Sequence, residues 1–340
     1  MLKCLYVHVG LEKTGTTSIQ EFLQINRAAL AGAGIWLPGC LGHKNPKLLA
    51  AYGHEAGSRD IAVTGAGIGS SPEAVAEFRA GLRDKLIKDA ARGAGGIGVI
   101  SSEDLSRLHK AQEVRRVVDL LGEIAEDLRV IVFVRRQDLL AASRYYSLVR
   151  GGSTDPQVMP QPGEGQPYYD YRTNIGLWAD AVGEARVILQ RFPEMPKREG
   201  FNSVAAFRGL IGIGEGQYSD VQEQHVSFDA VNQILMQGYN QLRGGYDAKG
   251  LHWLMERLAP MNDRSLGQIP SEQQARQFYG TYRQGNLALF RRLGVEDQMF
   301  SEDFSMYPAE NMRAKFQQMG MQRLLSLLEA QRSADEGRDG

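Results

Sequence analysis

The chain has 340 residues, 43% of them hydrophobic, and a formal net charge of −1 at pH 7. That length admits one large domain or two modest ones, with enough apolar content for a full core. The near-neutral balance gives no basis for nonspecific binding to nucleic acid, and no apolar run approaches the roughly 18–20 residues that span a membrane.

The chain has two cysteines, Cys4 and Cys40, with neither a C-x-x-C pair nor metal-ligand spacing, which suits a reducing compartment. The start of the sequence runs straight into an apolar segment, without the basic, apolar and cleavage regions of a leader. The expectation is a cytoplasmic protein without a membrane span.

Leu5, Tyr6, Val7, His8 and Val9 form an apolar, β-rich run short enough for a buried strand. Gly10 to Gly15 reads as a tight loop, and an amphipathic helix follows over 17–30, with apolar Ile19, Phe22, Leu23, Ala29 and Leu30 near helical spacing. Gly34-Ile35-Trp36-Leu37-Pro38 predicts a short second strand stopped by proline. Residues 39–71, rich in Gly, His, Ser and Asn, read as an active-site loop or excursion with one helical piece near 47–52. A helix over 72–92 follows from the early Pro72 and from Val75, Phe78, Leu82 and Leu86.

Residues 97–102 predict a third strand, 111–128 a helix and 129–134 a fourth strand, apolar throughout and so central in a parallel sheet. Helices at 138–149 and 171–182 and a fifth strand at 185–190 complete a βαβα alternation. Beyond 203 the pattern is almost purely helical, over 203–210, 228–242, 250–258, 271–293 and 309–331. The organisation expected is one domain over 1–332, with a nucleotide-binding core at 1–195 and a helical extension at 196–332. The polar segment 333–340 is expected to be disordered. The fold class is α/β: a five-stranded parallel sheet like that of P-loop NTPases, flanked by helices, with a mostly helical C-terminal half.

Strand, glycine-bounded loop and helix make a phosphate cradle, in which loop N–H groups and the positive end of a helix converge on an anion. Lys13 adds a mobile charge, and Thr14, Thr16, Thr17 and Ser18 add hydroxyls. A nucleoside-triphosphate P-loop reads G-x-x-x-x-G-K-[ST]. Here Gly10 and Gly15 keep that spacing, but Thr16 stands where the lysine belongs, which argues against an ATPase or kinase. The alternative is a Gly/Thr turn before an ordinary helix.

A second anion site emerges at the end of the fourth strand. Arg135 would leave the sheet at its carboxyl edge, where ligands of parallel sheets gather. Ser143 follows eight residues later, on the second turn of the next helix. Arg136 reads either as a surface salt bridge or as a ligand contact.

The Lys13-Thr14-Gly15-Thr16-Thr17 loop and the Arg135…Ser143 spacing resemble those of the sulfotransferases that use 3′-phosphoadenosine 5′-phosphosulfate (PAPS). The string from Arg135 to Tyr145 is similar to that of bacterial members, and the segments around Asn240 and Asn286 and Phe300 to Phe304 look like those of bacterial members thought to act on saccharides. With Tyr171, Leu177, Trp178 and Arg191-Phe192 they extend the likeness over most of the chain. The resemblance implies that Lys13, Thr14, Gly15, Thr16, Thr17 and Ser18 hold the 5′-phosphosulfate and that Arg135 and Ser143 hold the 3′-phosphate. It further implies a small-molecule or saccharide acceptor and no required metal. Where many eukaryotic members place a tryptophan after the loop, this chain has Ser18, and the adenine pocket stays unassigned.

Lys13 is expected to act in catalysis as well as binding. Glu103, in Ser101-Ser102-Glu103-Asp104 after the third strand, is the leading general base, against its alternative as a helix cap. His43 and His54 in the 39–71 loop compete for that role. His8, His109, His225 and His252 read as structural. Tyr168, Tyr169 and Tyr171 read equally as sugar-stacking or packing residues, and the C-terminal helices offer surface for a homodimer. Two other readings remain: a small-molecule P-loop kinase, and a silent nucleotide-binding protein.

Overall fold

The computed structural model of the chain describes residues 1–161, 167–194, 200–214, 216, 218–221, 227–263 and 265–336, with side chains to 329. His225, part of the 151–170 loop and the last four residues of the expected tail lie outside the described residues. Five strands, β1 (Leu2–His8), β2 (Ile35–Trp36), β3 (Ile97–Ser101), β4 (Ala125–Val134) and β5 (Val187–Arg191), form one sheet in the order β2-β3-β1-β4-β5. Every pairing is parallel. The helices are α1 (Thr16–Ile25), α2 (Arg27–Gly32), α3 (Lys47–Gly53), α4 (Ile61–Thr64), α5 (Pro72–Ala90), α6 (Ala111–Gly122), α7 (Gln137–Arg150), α8 (Tyr171–Val182), α9 (Ser203–Leu210), α10 (Ala230–Arg243), α11 (Ala248–Leu258), α12 (Glu272–Arg292) and α13 (Arg313–Glu336).

Several expected boundaries move, two of them for reasons that the contacts show. Residues 125–128 belong to β4 rather than to the preceding helix, because Leu2 pairs with Ala125 and Cys4 with Asp127 across the sheet. The first helix breaks at Asn26, whose side chain donates to the carbonyls of Phe22 and Ser219 at 3.0 Å each and accepts from the Ser219 N–H at 2.7 Å. A side chain that bonds backbone groups in this way competes with helix continuation.

Contacts divide the chain into two compact units: Met1–Arg135 with Gly165–Glu223 and Tyr282–Phe300, and Arg136–Glu164 with Gln224–Thr281 and Ser301–Gly340. The first holds the sheet. Val99, Ile131 and Phe133 turn one face toward Ile19, Phe22 and Leu23 of α1 and Phe207 of α9. Val130, Val132 and Val134 alternate with them and are fully buried on the opposite face, while α6 and α8 pack on β4. Burial on both faces accounts for the unbroken apolar run of this strand.

The second unit is helical. Tyr145, Tyr146 and Val149 of α7 pack with Val231 and Ile234 of α10, Leu254 and Leu258 of α11 and Phe316 of α13. Arg136 is fully buried within it. Its Nε donates to Asp138 Oδ1 at 2.8 Å, its Nη1 bonds the carbonyls of Ser301 and Asp303, and its guanidinium lies 4.0 Å from the Phe304 ring centroid. Arg136 is thus part of a buried ion pair, not the surface salt bridge that was one of its two sequence readings.

Candidate functional site

β1 delivers the chain to the middle of the sheet, between β3 and β4. Past its end the backbone stays tied to β4: the Leu11 N–H donates to the Phe133 carbonyl at 3.0 Å, and the Phe133 N–H to the Gly10 carbonyl at 2.8 Å. The loop then reverses through Gly10, Lys13 and Gly15, at φ 100°, 64° and 90°. Lys13 is unusual as an L residue in the left-handed region, where only glycine is free of steric cost.

Two hydroxyls close the loop on one acceptor. Thr14 Oγ1 donates to the Leu11 carbonyl at 2.6 Å and Thr16 Oγ1 to the same oxygen at 2.8 Å. Both threonines are buried, and their donor hydrogens serve the loop itself. What this turn presents outward is backbone N–H, together with exposed Thr17 and partly exposed Ser18 and Lys13. α1 starts after Gly15, which brings no side-chain cap. The first-turn N–H groups and helix dipole therefore point out of the loop, as anion binding needs. A Cβ on Gly15 would stand 2.3 Å from Ser203 Oγ, so the start of α9 closes directly over the loop.

Arg135 follows the last residue of β4 and reaches this loop: its Nη1 donates to the Lys13 carbonyl at 3.1 Å. Its guanidinium lies 5.5 Å from the Phe192 ring centroid, and its own carbonyl accepts from Tyr171 Oη at 2.5 Å. Ser143, its expected companion, is on α7 within the second unit.

Glu103 opens the 3₁₀ turn that follows β3. The Ser102 N–H donates to the His8 carbonyl at 2.9 Å, which sets that turn beside the end of β1. A Cβ on Gly10 would lie 3.2 Å from the Glu103 Cα, so the loop glycine permits this close approach. Gln20, one turn into α1, donates to Glu103 Oε2 and to the Ser101 carbonyl. Burial pushes the Glu103 carboxyl above the usual carboxylate range, and the charges of Asp104 and Glu12 add to the shift. The residue's own N–H and the Gln20 amide oppose it. The fold thus brings Lys13, Arg135 and Glu103 together around one loop.

The histidines separate by environment. His43 is exposed, 3.3 Å from Gln24 Nε2, at a crevice of about 20 Å³ lined by Gln20, Gln24 and Ser101, room for a single water. His54 is buried, with Nδ1 3.3 Å from Glu113 and Nε2 3.6 Å from Asp60. His8 is fully buried between Phe133 and Phe207, with Nδ1 2.8 Å from Ser101 Oγ, and burial drives its pKa down to about 3. His109 bonds Asn174 at 2.8 Å, and His252 pairs with Glu256 on the surface.

Tyr168, Tyr169 and Tyr171 are all buried, and the Tyr168 and Tyr171 hydroxyls bond Glu12 and the Arg135 carbonyl. Sequence reasoning passed over Gln20 and Ser203, and named Phe192 only within the family likeness. Only Gln20 carried a signal, since it stands one helical turn beyond Thr16 on the side facing the sheet. Among the described residues, no group of three or more His, Cys, Asp or Glu stands where it could hold a metal ion, and no helix is long and apolar enough to cross a membrane.

No family model matches the chain, and no curated protein matches it. Among solved structures it is similar to a sulfotransferase from Alicyclobacillus acidocaldarius. The TM-score is 0.40 and the identity 14%, over 72% of this chain and 94% of that one. A likeness at that level carries no functional argument.

Proposed function

We propose that the chain is a sulfotransferase that moves a sulfuryl group from PAPS to a hydroxyl or amine of an acceptor, a carbohydrate or glycoconjugate. The observation that carries this reading is the bond from Arg135 to Lys13, which joins a strand-end cation to the loop after β1. A nucleotide phosphorylated at both the 3′ and 5′ positions calls for two neighbouring anion sites. ATP alone calls for one. The donor set suits phosphate oxygens: uncapped first-turn N–H groups, an ammonium and a planar guanidinium.

PAPS, when bound, supplies an SO3 group carried on a phosphate leaving group. In the transfer, a bond forms from the acceptor oxygen or nitrogen to sulfur as the bond from sulfur to the 5′-phosphate oxygen breaks. Lys13 and the first-turn N–H groups offset the charge gathering on that oxygen. Glu103 accepts the acceptor's proton, and its raised proton affinity brings it nearer the working range of a base. Arg135 orients the 3′-phosphate end, and His43 is the second candidate base. Thr14 and Thr16 keep the loop closed, while Thr17 and Ser18 offer hydroxyls at its open side.

Calorimetric titration of adenosine 3′,5′-bisphosphate and of ATP, both without magnesium, on the wild type and on Arg135→Ala tests the reading. Tight binding of the bisphosphate alone, lost in the variant, is expected. Preference for ATP, or indifference to Arg135, would overturn it and put the kinase reading first.

A further inference from the structure

We infer that Arg107 is a positioning residue, one that locks the phosphate loop and the segment carrying Glu103 into a single rigid unit. The inference rests on the sulfotransferase reading only for what those two segments do.

Arg107 ends the 3₁₀ turn that Glu103 begins. Its guanidinium meets three carboxylates, each from a different segment. Nη1 donates to Glu12 Oε1 at 3.0 Å, Nη2 to Asp104 Oδ1 at 2.6 Å, and Nε and Nη2 to the two oxygens of Asp60 at 2.7 and 3.1 Å. Glu12 immediately precedes Lys13, and Asp104 immediately follows Glu103. Asp60 caps α4, accepting from the Ala62 N–H at 2.8 Å. One side chain therefore touches the neighbours of both the cation and the candidate base.

The carboxylates are fixed from behind as well. Asp104 Oδ2 accepts from Asn45 Nδ2 at 3.0 Å, and Asn45 Oδ1 accepts from Ser102 Oγ at 2.8 Å. Glu12 Oε2 accepts from Tyr168 Oη at 3.3 Å. The side chains of Arg107, Asp60 and Asp104 are 18%, 14% and 10% exposed, so solvent screens these pairs little. Only a planar fork with five N–H donors in fixed directions can serve three acceptors at once. Lysine keeps the charge but not those directions.

A residue that merely stabilised the fold would change global stability and leave the folded site as it was. A positioning residue separates the two. The comparison is among wild type, Arg107→Lys and Glu12→Gln, read by backbone hydrogen exchange without nucleotide, by bisphosphate titration and by thermal melting. In Arg107→Lys, exchange over 11–16 and 102–106 is expected to rise about tenfold, against an unchanged β4. Affinity of the folded protein for adenosine 3′,5′-bisphosphate falls by a similar factor.

Glu12→Gln leaves the bonds to Asp60 and Asp104 in place, so exchange rises over 11–16 and stays unchanged over 102–106. Uniform acceleration across the chain in Arg107→Lys, or no change over 11–16 in either variant, overturns the inference. If the wild type fails to bind the bisphosphate, the sulfotransferase reading falls. The exchange pattern still decides the role of Arg107.

Discussion

Arg135 Nη1 donates to the carbonyl oxygen of Lys13 at 3.1 Å, joining two cationic residues 122 positions apart. The bond is made to the backbone, so it holds the loop where Lys13 departs from ordinary dihedrals, at φ 64°. Arginine can bond a carbonyl with one N–H and keep others for a phosphate; an ammonium in the same place gives that geometry up. Arg135→Lys should therefore weaken binding of adenosine 3′,5′-bisphosphate about tenfold despite the conserved charge. Equal affinities by calorimetry would show that charge alone suffices.

Gly15 cannot be replaced without strain. It sits at φ 90°, and an added Cβ would meet Ser203 Oγ at 2.3 Å and Ser203 Cβ at 2.5 Å. Gly15→Ala is expected to cost about 1–3 kcal/mol in urea unfolding through left-handed strain and crowding. It should also displace the first turn of α1 and abolish bisphosphate binding. Trimming Ser203 to Ala removes the oxygen but not its Cβ, so the double variant should recover only part of the stability.

The sheet and the loop were legible because their signals are local. An apolar run, two glycines at fixed spacing and a helical repeat identify β1, the loop and α1 from some 20 consecutive residues. The place of Arg135 at the carboxyl end of β4 was legible because the apolar run stops at Val134. The strand order β2-β3-β1-β4-β5 carries no such local mark. Nor does the closure of Ser203 over Gly15, since that contact depends on where α9 lands after β5. The start of β4 at Ala125 was missed because pairing with β1, not propensity, decides it. Arg107 was not singled out and His54 was read as a competing base, for their partners come from segments up to 95 positions away.

Glu103 is the proposed base, and its pH behaviour follows from its surroundings. Burial foremost, then Asp104 and Glu12, raise its pKa, so the carboxylate forms at higher pH than usual. A base works deprotonated: turnover should rise with pH through a limb lying above the normal carboxylate range. Glu103→Gln should remove that limb and lower kcat by about 10²–10⁴ while leaving bisphosphate affinity unchanged. Because the neutral amide ends the cost of burying a charge, the variant should melt no lower than wild type at pH 7. Full activity in the variant would move the role to His43.

Arg136 is buried with Asp138, whose Oδ2 also accepts from Tyr307 Oη at 2.7 Å. Removing one partner of a buried pair leaves the other uncompensated, so Arg136→Met should cost about 3–5 kcal/mol. The Ser301 and Asp303 carbonyls lose their donor at the same time. Adding Asp138→Asn neutralises the orphaned charge and should restore a measurable part of that loss in urea titration. If the two effects simply add, the ion pair is not the source of the stability.

His54 links stability to pH above neutrality. Burial alone would lower its pKa, but the neighbouring Asp60 and Glu113 carboxylates outweigh it and hold the imidazole at about 9. Both carboxylates are themselves held below their usual values, so they stay ionised across the range concerned. The other charged groups at this point, Arg79 and Arg116, donate to the His54 carbonyl. With the folded pKa raised, the folded state keeps a proton that the unfolded chain releases near 6.5. The stabilisation is complete below that value and is lost as pH rises through about 9. Thermal melting should therefore fall by about 2 °C or more between these limits, at a slope of at most about 1.4 kcal/mol per pH unit. His54→Gln keeps hydrogen-bonding capacity without a titrating proton, so its melting temperature should start lower at pH 6.5 and change less with pH. A wild-type melting temperature that is flat over this interval would mean that the folded state does not hold a proton on His54 that the unfolded chain releases.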